Sequence, residues 1–187
     1  TLATGEQVLL LVPEINLTPQ LEGRVRARFP ERLVVSLHSE LAEAARERNW
    51  RAAFAGEADI VLGTRLAIFT PMPRLGLIVV DEEHDSSFKQ QDGMRYSARD
   101  VAVFRAQQLG IPVVLGSATP SLESWANAQG RRYGLLTLNE RANRQATLPA
   151  VHLLDTRKMV LHAGVSEPLI AAISTRLERG EQSLVFL

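Results

Sequence analysis

The 187-residue sequence contains no cysteine, which excludes disulfide bonds and thiolate metal sites within it. No apolar run approaches the roughly 20 residues that cross a bilayer as a helix, and the first residues do not resemble a signal peptide. A cytoplasmic location is therefore expected. Basic and acidic residues number 21 each, so the formal net charge is zero. Any surface for nucleic acid must then be a local patch, because no global positive charge is present.

Lysine is scarce, since Lys89 and Lys158 are the only two in the sequence, and neither follows a glycine. The P-loop motif G-x-x-x-x-G-K-[ST], whose backbone amides and lysine hold nucleotide phosphates, is therefore absent from this chain. The other basic residues are arginines, and the planar guanidinium suits two-point contacts with phosphate and carboxylate groups.

The sequence does contain a regular alternation of short apolar runs and amphipathic stretches. This alternation predicts an α/β fold with a doubly wound, mostly parallel sheet and helices on both faces. Strands are predicted at 8–12, 33–37, 59–62, 75–80, 111–115 and 133–138. Helix N-caps are predicted at Thr18, Ser39, Ser97 and Thr119. Trp50 and Trp125 are assigned to the core.

A polar segment at 141–150 predicts a linker between two domains, one at 1–140 and the beginning of another at 151–187. The second part is predicted to contain a strand at 151–154, a helix at 167–179 and a strand at 183–187. The histidines outside the motifs described below have no partners at metal-ligand spacing, and we expect them to be structural or solvated.

The strongest indication of a functional site is the segment Asp81-Glu82-Glu83-His84, which directly follows the apolar strand 75–80. Open α/β sheets bind ligands at the carboxyl ends of their strands. An Asp in this position can hold a Mg²⁺ ion that bridges nucleotide phosphates, and the Glu beside it can orient or deprotonate an attacking water. On this segment alone, a strand that ends in a solvated acidic turn is an equally good interpretation.

A second signal, Gly116-Ser117-Ala118-Thr119-Pro120-Ser121, follows the apolar strand 111–115. Small hydroxylated side chains at that position could form hydrogen bonds across to the acidic strand end. A helix cap is the alternative interpretation, and Thr119 is predicted to act as one. The two segments together are a stronger indication of a site than either is alone.

Segment 86–100 follows the acidic turn and combines aromatic with cationic side chains. Aromatic faces can stack on unpaired bases, and cations can hold phosphates. An ordinary surface loop with one buried aromatic is the alternative. The residues concerned are Phe88, Lys89, Arg95, Tyr96 and Arg99.

Together these segments resemble the superfamily 2 helicases. Residues 81–84 match motif II of that family, the DEAH box, here spelled Asp-Glu-Glu-His, and residues 117–119 match motif III. Residues 12–20 resemble motif Ia and residues 63–69 resemble motif Ib. The detailed sequence of these motifs, above all that of segment 86–100, is similar to the corresponding sequence in the replication-restart helicases of this superfamily. The resemblance covers almost the whole chain.

The resemblance implies a RecA-like motor lobe from an ATP-dependent helicase that unwinds DNA with 3′ to 5′ polarity. It also implies that the whole protein restarts stalled replication forks and assembles the primosome. ATP with Mg²⁺ would be the cofactor. The implied catalytic residues are Asp81, which would hold the Mg²⁺, Glu82 and His84. Coupling of nucleotide state to DNA is implied for Glu83, Ser117, Ala118 and Thr119. DNA contacts are implied for Thr18, Gln20, Thr64, Arg65, Phe88, Lys89, Arg95, Tyr96 and Arg99.

The partners implied are single-stranded and forked DNA, other primosome and replication-restart proteins, and single-stranded DNA-binding protein. The implied location is the bacterial cytoplasm, at the nucleoid and not at a membrane. Zinc is expected elsewhere in such a helicase, but this chain has no zinc ligands.

The missing P-loop is a departure from the family pattern, in which it precedes the motif Ia strand. We therefore expect the isolated chain neither to hydrolyse ATP nor to unwind DNA. Two alternatives stay open from the residues. One is a non-catalytic module that binds single-stranded DNA or a protein, with a vestigial acidic strand end. The other is a different superfamily 2 DNA translocase.

Overall fold

The computed structural model describes residues 1–140 and 149–186. The chain divides into two compact units, Thr1–Leu135 and Leu136–Leu187. Most of the predicted linker at 141–150 lies outside the described residues, and the assignment of the second part to another helicase lobe stays a prediction. None of the helices in the described ranges is long and apolar enough to cross a membrane.

The first unit is built on a five-stranded parallel sheet with the order β2-β3-β1-β4-β5. The chain starts at the centre of this sheet, fills one side, crosses over β1 and then fills the other side. The α/β class and the doubly wound, RecA-like arrangement are thereby confirmed. The strands are β1 (Gln7–Leu11), β2 (Val34–Leu37), β3 (Ile60–Gly63), β4 (Leu75–Val80) and β5 (Val113–Leu115).

Four helices belong to this unit: α1 (Pro19–Arg28), α2 (Glu43–Phe54), α3 (Ala98–Leu109) and α4 (Leu122–Gln129). The predicted caps of α1 and α3 are correct. Thr18 Oγ1 accepts a hydrogen bond from the Leu21 amide at 3.3 Å, and Ser97 Oγ accepts one from the Asp100 amide at 3.4 Å. Gly110 ends α3 in the left-handed region with a φ of 65°, where a glycine avoids the steric cost of a side chain.

The other two predicted caps are wrong. The Ser39 hydroxyl donates instead to Glu14 Oε1 at 2.7 Å, and α2 begins only after Ala42. Thr119 does not cap α4, because that helix begins only at Leu122, and the Thr119 amide donates instead to Ser117 Oγ at 2.9 Å. The cap of α4 is Ser121, whose Oγ accepts from the Ser124 amide at 3.3 Å.

The main core lies on the face of the sheet that α2, α3 and the short 3₁₀ helix Arg65–Phe69 cover. Strand residues such as Leu9, Leu11 and Ile78 are fully buried there. Close approach is needed where β3 meets the 3₁₀ helix. A Cβ atom on Gly63 would lie 2.2 Å from Ala67 Cβ and 2.9 Å from the Leu37 carbonyl oxygen. Gly63 is therefore required by packing.

Two groups of predictions about the core and the strands fail. Trp50 is 41% exposed and Trp125 is 46% exposed, so neither belongs to the core. Segments 133–138, 151–154 and 183–186 form no strand in the structure. Apolar runs of this length form strands only where a partner strand pairs with them, and the described residues provide none. The second unit contains the hairpin of β6 (Leu161–His162) and β7 (Val165–Ser166), followed by α5 (Glu167–Glu178).

Candidate functional site

The carboxyl ends of β4 and β5 bring the two polar segments side by side. The Gly116 amide donates to the Val80 carbonyl at 2.8 Å, and the Glu83 amide donates back to the Gly116 carbonyl at 3.0 Å. On the other side of β4, the Asp81 amide donates to the Leu11 carbonyl at 2.9 Å. Because these backbone bonds extend the parallel ladder beyond the strands, the acidic segment has a fixed position relative to residues 116–119.

His84 connects the two segments through its side chain. Its Nδ1 lies 2.7 Å from Ser117 Oγ, and its Nε2 lies 3.4 Å from Thr119 Oγ1. The Thr119 amide donates to Ser117 Oγ at 2.9 Å, which fixes that hydroxyl. His84 Nδ1 also lies 3.5 Å from Glu82 Oε2. A movement of Glu82 would therefore be transmitted to Ser117 and Thr119 through the imidazole ring of His84.

Asp81 and Glu82 present their carboxylates at this edge. Glu82 has a φ of 48°, in the left-handed region that non-glycine residues rarely adopt. Such a conformation costs on the order of 1–3 kcal/mol and tends to occur at functional sites. The Asp81 carboxylate accepts from the Glu82 amide at 3.1 Å, and a Cβ atom on Gly116 would lie 3.6 Å from Asp81 Oδ1.

The donor set at this edge fits a Mg²⁺ ion that a nucleotide brings with it. In the part of the chain that the structure describes, no three His, Asp or Glu side chains are grouped to hold a metal by themselves. Mg²⁺ commonly uses one or two carboxylates together with substrate phosphates and water. Asp81, which is exposed beside the small Gly116, has the chemistry and the access for such a role.

Glu83 points into the protein and is the centre of a buried polar cluster, which we call the Glu83 cluster: Glu83, Arg99, Ser121 and Ser124. Glu83 Oε1 accepts from the Ser121 amide at 2.6 Å. Its Oε2 accepts from Ser124 Oγ at 2.9 Å, from Ser121 Oγ at 3.0 Å and from Arg99 Nη1 at 3.2 Å. The cluster thereby ties the acidic strand end to α3 and to α4.

The charges of this cluster stabilise each other. Burial by itself raises the pKa of Glu83, but hydrogen bonds from Ser121, Ser124 and Arg99 outweigh it and hold the pKa below its ordinary value. Burial likewise opposes the charge of Arg99, yet Asp100 and Glu83 raise the pKa of its guanidinium. Both groups are therefore charged around neutral pH.

Segment 86–100 corrects two sequence predictions. Phe88 is only 1% exposed and belongs to the hydrophobic core, so its ring is unavailable for stacking on a base. The Arg99 side chain is 11% exposed and is engaged with Glu83, Asp100 and Ser121, so it is unavailable to a phosphate. Both residues position the segment from inside the protein.

The exposed part of the segment is its tip. Lys89 and Ser97 form an antiparallel bridge, and the Gln90 amide donates to the Tyr96 carbonyl at 2.8 Å. The chain between them forms a short excursion that carries Met94, which is 76% exposed, and the exposed Arg95. Tyr96 itself is half-buried, with its ring edge-to-face against Phe69 at 5.0 Å.

The residues matched to motifs Ia and Ib are partly engaged within the protein. Thr18 caps α1, whereas Gln20 is exposed on its first turn. Thr64 is 7% exposed. Arg65 Nη1 donates to the Ser87 carbonyl at 2.9 Å, so this arginine holds the start of segment 86–100. A DNA contact by any of them stays a prediction.

Ser121 ends the second polar segment but was given no role there, and Ser124 is a site residue that the sequence reasoning missed. Two serines one helical turn apart after Pro120 are a visible signal, because that spacing places their hydroxyls on one side of a helix start. Their common acceptor, Glu83, was assigned only a coupling role, and its burial depends on how α4 packs.

Phe88→Ala is expected to destabilise the 187-residue chain by about 3–5 kcal/mol, the usual cost of removing a fully buried aromatic ring. Urea unfolding followed by circular dichroism measures this loss. Met94→Ala is the matched control within the same segment. It should change stability little, because that side chain is exposed. Equal effects of the two substitutions would contradict the assignment of Phe88 to the core.

Comparison with known proteins supports the similarity that the motifs suggest. The family model described as DEAD/DEAH box helicase matches residues 1–128. The replication restart protein PriA of Haemophilus influenzae is 47% identical over 186 residues, which cover 100% of this chain and 25% of that protein. PriA of Bacillus subtilis is 42% identical and PriA of Synechocystis is 45% identical. Each of these two matches covers 100% of this chain and 23% of the relative.

The chain thus spans about a quarter of the length of the curated relatives it matches. Among solved structures, the C-terminal domain of the DEAD-box protein Dbp5 has 19% sequence identity and a TM-score of 0.45. That alignment covers 69% of this chain and 71% of the Dbp5 domain.

Proposed function

Because this chain belongs to the DEAD/DEAH box helicase family, we propose that it forms most of the first motor lobe of an ATP-dependent DNA helicase that restarts stalled replication forks in bacteria. The observation that supports this most is the His84 contact with Ser117 and Thr119 at the strand ends. The similarity to PriA from three bacteria supports the replication-restart role. The site of action would be the cytoplasm, at the nucleoid.

The residues at the strand ends would have different roles in ATP hydrolysis. MgATP, when bound, supplies the phosphoanhydride bond that is cleaved and the metal ion that neutralises its charge. Asp81 would hold Mg²⁺ through its exposed carboxylate. Glu82 would orient a water and accept its proton. His84 would relay a shift of Glu82 to Ser117 and Thr119, with Ala118 between them as a small spacer.

DNA would lie across the surface that carries the exposed polar residues Gln20, Lys89 and Arg95. The Glu83 cluster would link this surface to the nucleotide site, because Arg99 at the end of segment 86–100 contacts Glu83 beside Glu82. We further propose 3′ to 5′ movement on single-stranded and forked DNA. Other primosome proteins and single-stranded DNA-binding protein would be the partners.

Strand displacement by the full-length protein tests the proposal. Partial duplexes with a 3′ or a 5′ single-stranded overhang are compared in the presence of ATP and Mg²⁺. Displacement from the duplex whose loading strand allows 3′ to 5′ movement supports the proposal. Displacement that requires the opposite overhang would overturn the polarity, and displacement without ATP would overturn the motor role.

The isolated 187-residue chain is expected to show no DNA-stimulated ATPase activity, because its sequence contains no P-loop. Phosphate release is measured with and without single-stranded DNA, with the full-length protein as the positive control. Activity above background in repeated preparations would contradict the prediction. Binding of single-stranded DNA without turnover would fit the second candidate function, a non-catalytic binding module, for the isolated chain alone.

A further inference from the structure

A groove lies between α2 and the 3₁₀ helix Arg65–Phe69, near the carboxyl ends of β2 and β3. Its volume is about 290 Å³, close to the lower end of the range for small-molecule sites, about 300 Å³. Its lining includes His38, Arg46, Trp50, Thr64, Arg65 and Leu66. A space of this size, lined by an indole and by cationic groups, suits one planar ring with an attached anion.

Trp50 is the aromatic element of the groove. Its indole stacks on Phe54 with ring centroids 5.4 Å apart and an interplanar angle of 5°. Phe54 is 56% exposed and Trp50 is 41% exposed, so this stacked pair lies at the surface. An indole that is fixed by a neighbouring ring yet still exposed is a preformed surface on which a further ring can stack.

Arg46 is the cationic element. Two arginines on α1 and α2 are paired with a glutamate one turn earlier, Arg26 with Glu22 at 2.6 Å and Arg51 with Glu47 at 2.7 Å. Arg46 forms no ion pair with any residue in the described ranges 1–140 and 149–186. Its charge is therefore available to a ligand in the groove.

The balance of charge in the lining favours an anionic ligand. The one carboxylate in the lining, Glu14, already accepts a hydrogen bond from Ser39 at 2.7 Å. Arg46 and Arg65 contribute two guanidinium groups. A peptide side chain of aromatic type would gain the indole contact but would leave the Arg46 charge without a partner.

We propose that this groove binds one nucleotide of a single strand, with its base stacked on Trp50 and its phosphate paired with Arg46. This deepens the proposed function and rests on it. Protein contacts with the phosphates and sugars of a strand do not depend on its bases. A base stacked on Trp50 would hold the strand in a defined register, because each one-nucleotide step would require release of one base and binding of the next.

The test uses the full-length protein and a fluorescent single strand, with affinity measured by anisotropy over a series of salt concentrations. Trp50→Ala is expected to weaken binding by about 5- to 150-fold, the range that stacking of a base on an aromatic ring contributes. It should leave the slope of log affinity against log salt unchanged. Arg46→Gln is expected to reduce that slope by about 0.7, the value for one phosphate contact on a single strand.

An abasic scan identifies the base directly. Strands that lack one base at successive positions are compared on the parent protein and on Trp50→Ala. One abasic position should weaken binding to the parent protein and have no effect on the variant. Trp50→Phe should retain most of the sensitivity, because a ring is still present. Arg51→Gln is the matched control on the same helix, since Arg51 is paired with Glu47 and does not line the groove.

The outcomes separate this inference from the proposed function. If Trp50→Ala bound the single strand with normal affinity while the parent protein showed ATP-dependent strand displacement, the proposed nucleotide site in the groove would be overturned. The helicase proposal would stand. If Trp50→Ala weakened single-strand binding by reducing the slope of log affinity against log salt, base stacking on Trp50 would also be overturned. A parent protein that does not bind single strands at all would overturn both. Weaker capture of a protein partner with unchanged strand binding would identify the groove as a peptide site instead.

Discussion

Glu82→Gln is expected to lower ATP turnover by the full-length protein by about 10²- to 10⁴-fold, the usual contribution of general base catalysis, and to leave single-strand affinity unchanged. The substitution keeps the shape of the side chain and the left-handed backbone at this residue. It removes the group that can accept a proton from water. Asp81 and His84 keep their backbone positions, so binding of Mg²⁺ and nucleotide should persist.

Steady-state phosphate release with and without DNA measures the loss, and anisotropy of a labelled strand measures the affinity. Glu57→Gln is the matched control, because Glu57 is exposed after α2 and takes no part in the proposed site. Turnover of Glu82→Gln equal to that of the control would show that this carboxylate is not the base. A variant with normal turnover that fails to bind DNA would place Glu82 on the DNA surface instead.

The sheet could be predicted from the sequence because its strands are marked by runs of apolar residues. Val34–Leu37 is buried throughout and four of the six residues of Leu75–Val80 are buried, and such runs are visible without knowledge of their neighbours. The two polar segments could be located for the same reason, since each directly follows a strand, and the strand ends of a parallel sheet meet at one edge. What stays beyond the sequence is which side chains at that edge point inward.

Segment 86–100 illustrates this limit. Its composition indicated a nucleic-acid contact, yet Phe88 fills the core and Arg99 pairs with Glu83. An aromatic ring or a guanidinium has the same sequence signature in either environment. Trp50 shows the reverse error, because it was assigned to the core and the structure exposes it. Both outcomes depend on contacts between residues far apart in the chain.

Glu83→Ala is expected to destabilise the 187-residue chain by about 3–5 kcal/mol at neutral pH, the usual cost of removing one partner of a buried ion pair. The Glu83 side chain is 1% exposed, and its loss leaves Arg99 and the Ser121 amide without this acceptor. Urea unfolding measures the change. Glu47→Ala is the matched control, since its ion pair with Arg51 is shorter, at 2.7 Å, but exposed. It should cost no more than about 1 kcal/mol.

The pH dependence of stability in the parent chain and in a Glu83→Gln variant distinguishes a buried carboxylate from a merely well-packed side chain. The folded state holds the pKa of Glu83 below its ordinary value of 4.5. The stability that this lowered pKa contributes is therefore complete above pH 4.5 and is lost as the pH falls through the folded pKa. The difference in unfolding free energy between the parent chain and Glu83→Gln should accordingly shrink on acidification below pH 4.5. A difference that is constant across this range would mean that Glu83 acts through its shape alone, and the charge link between the acidic strand end and α3 would have to be abandoned.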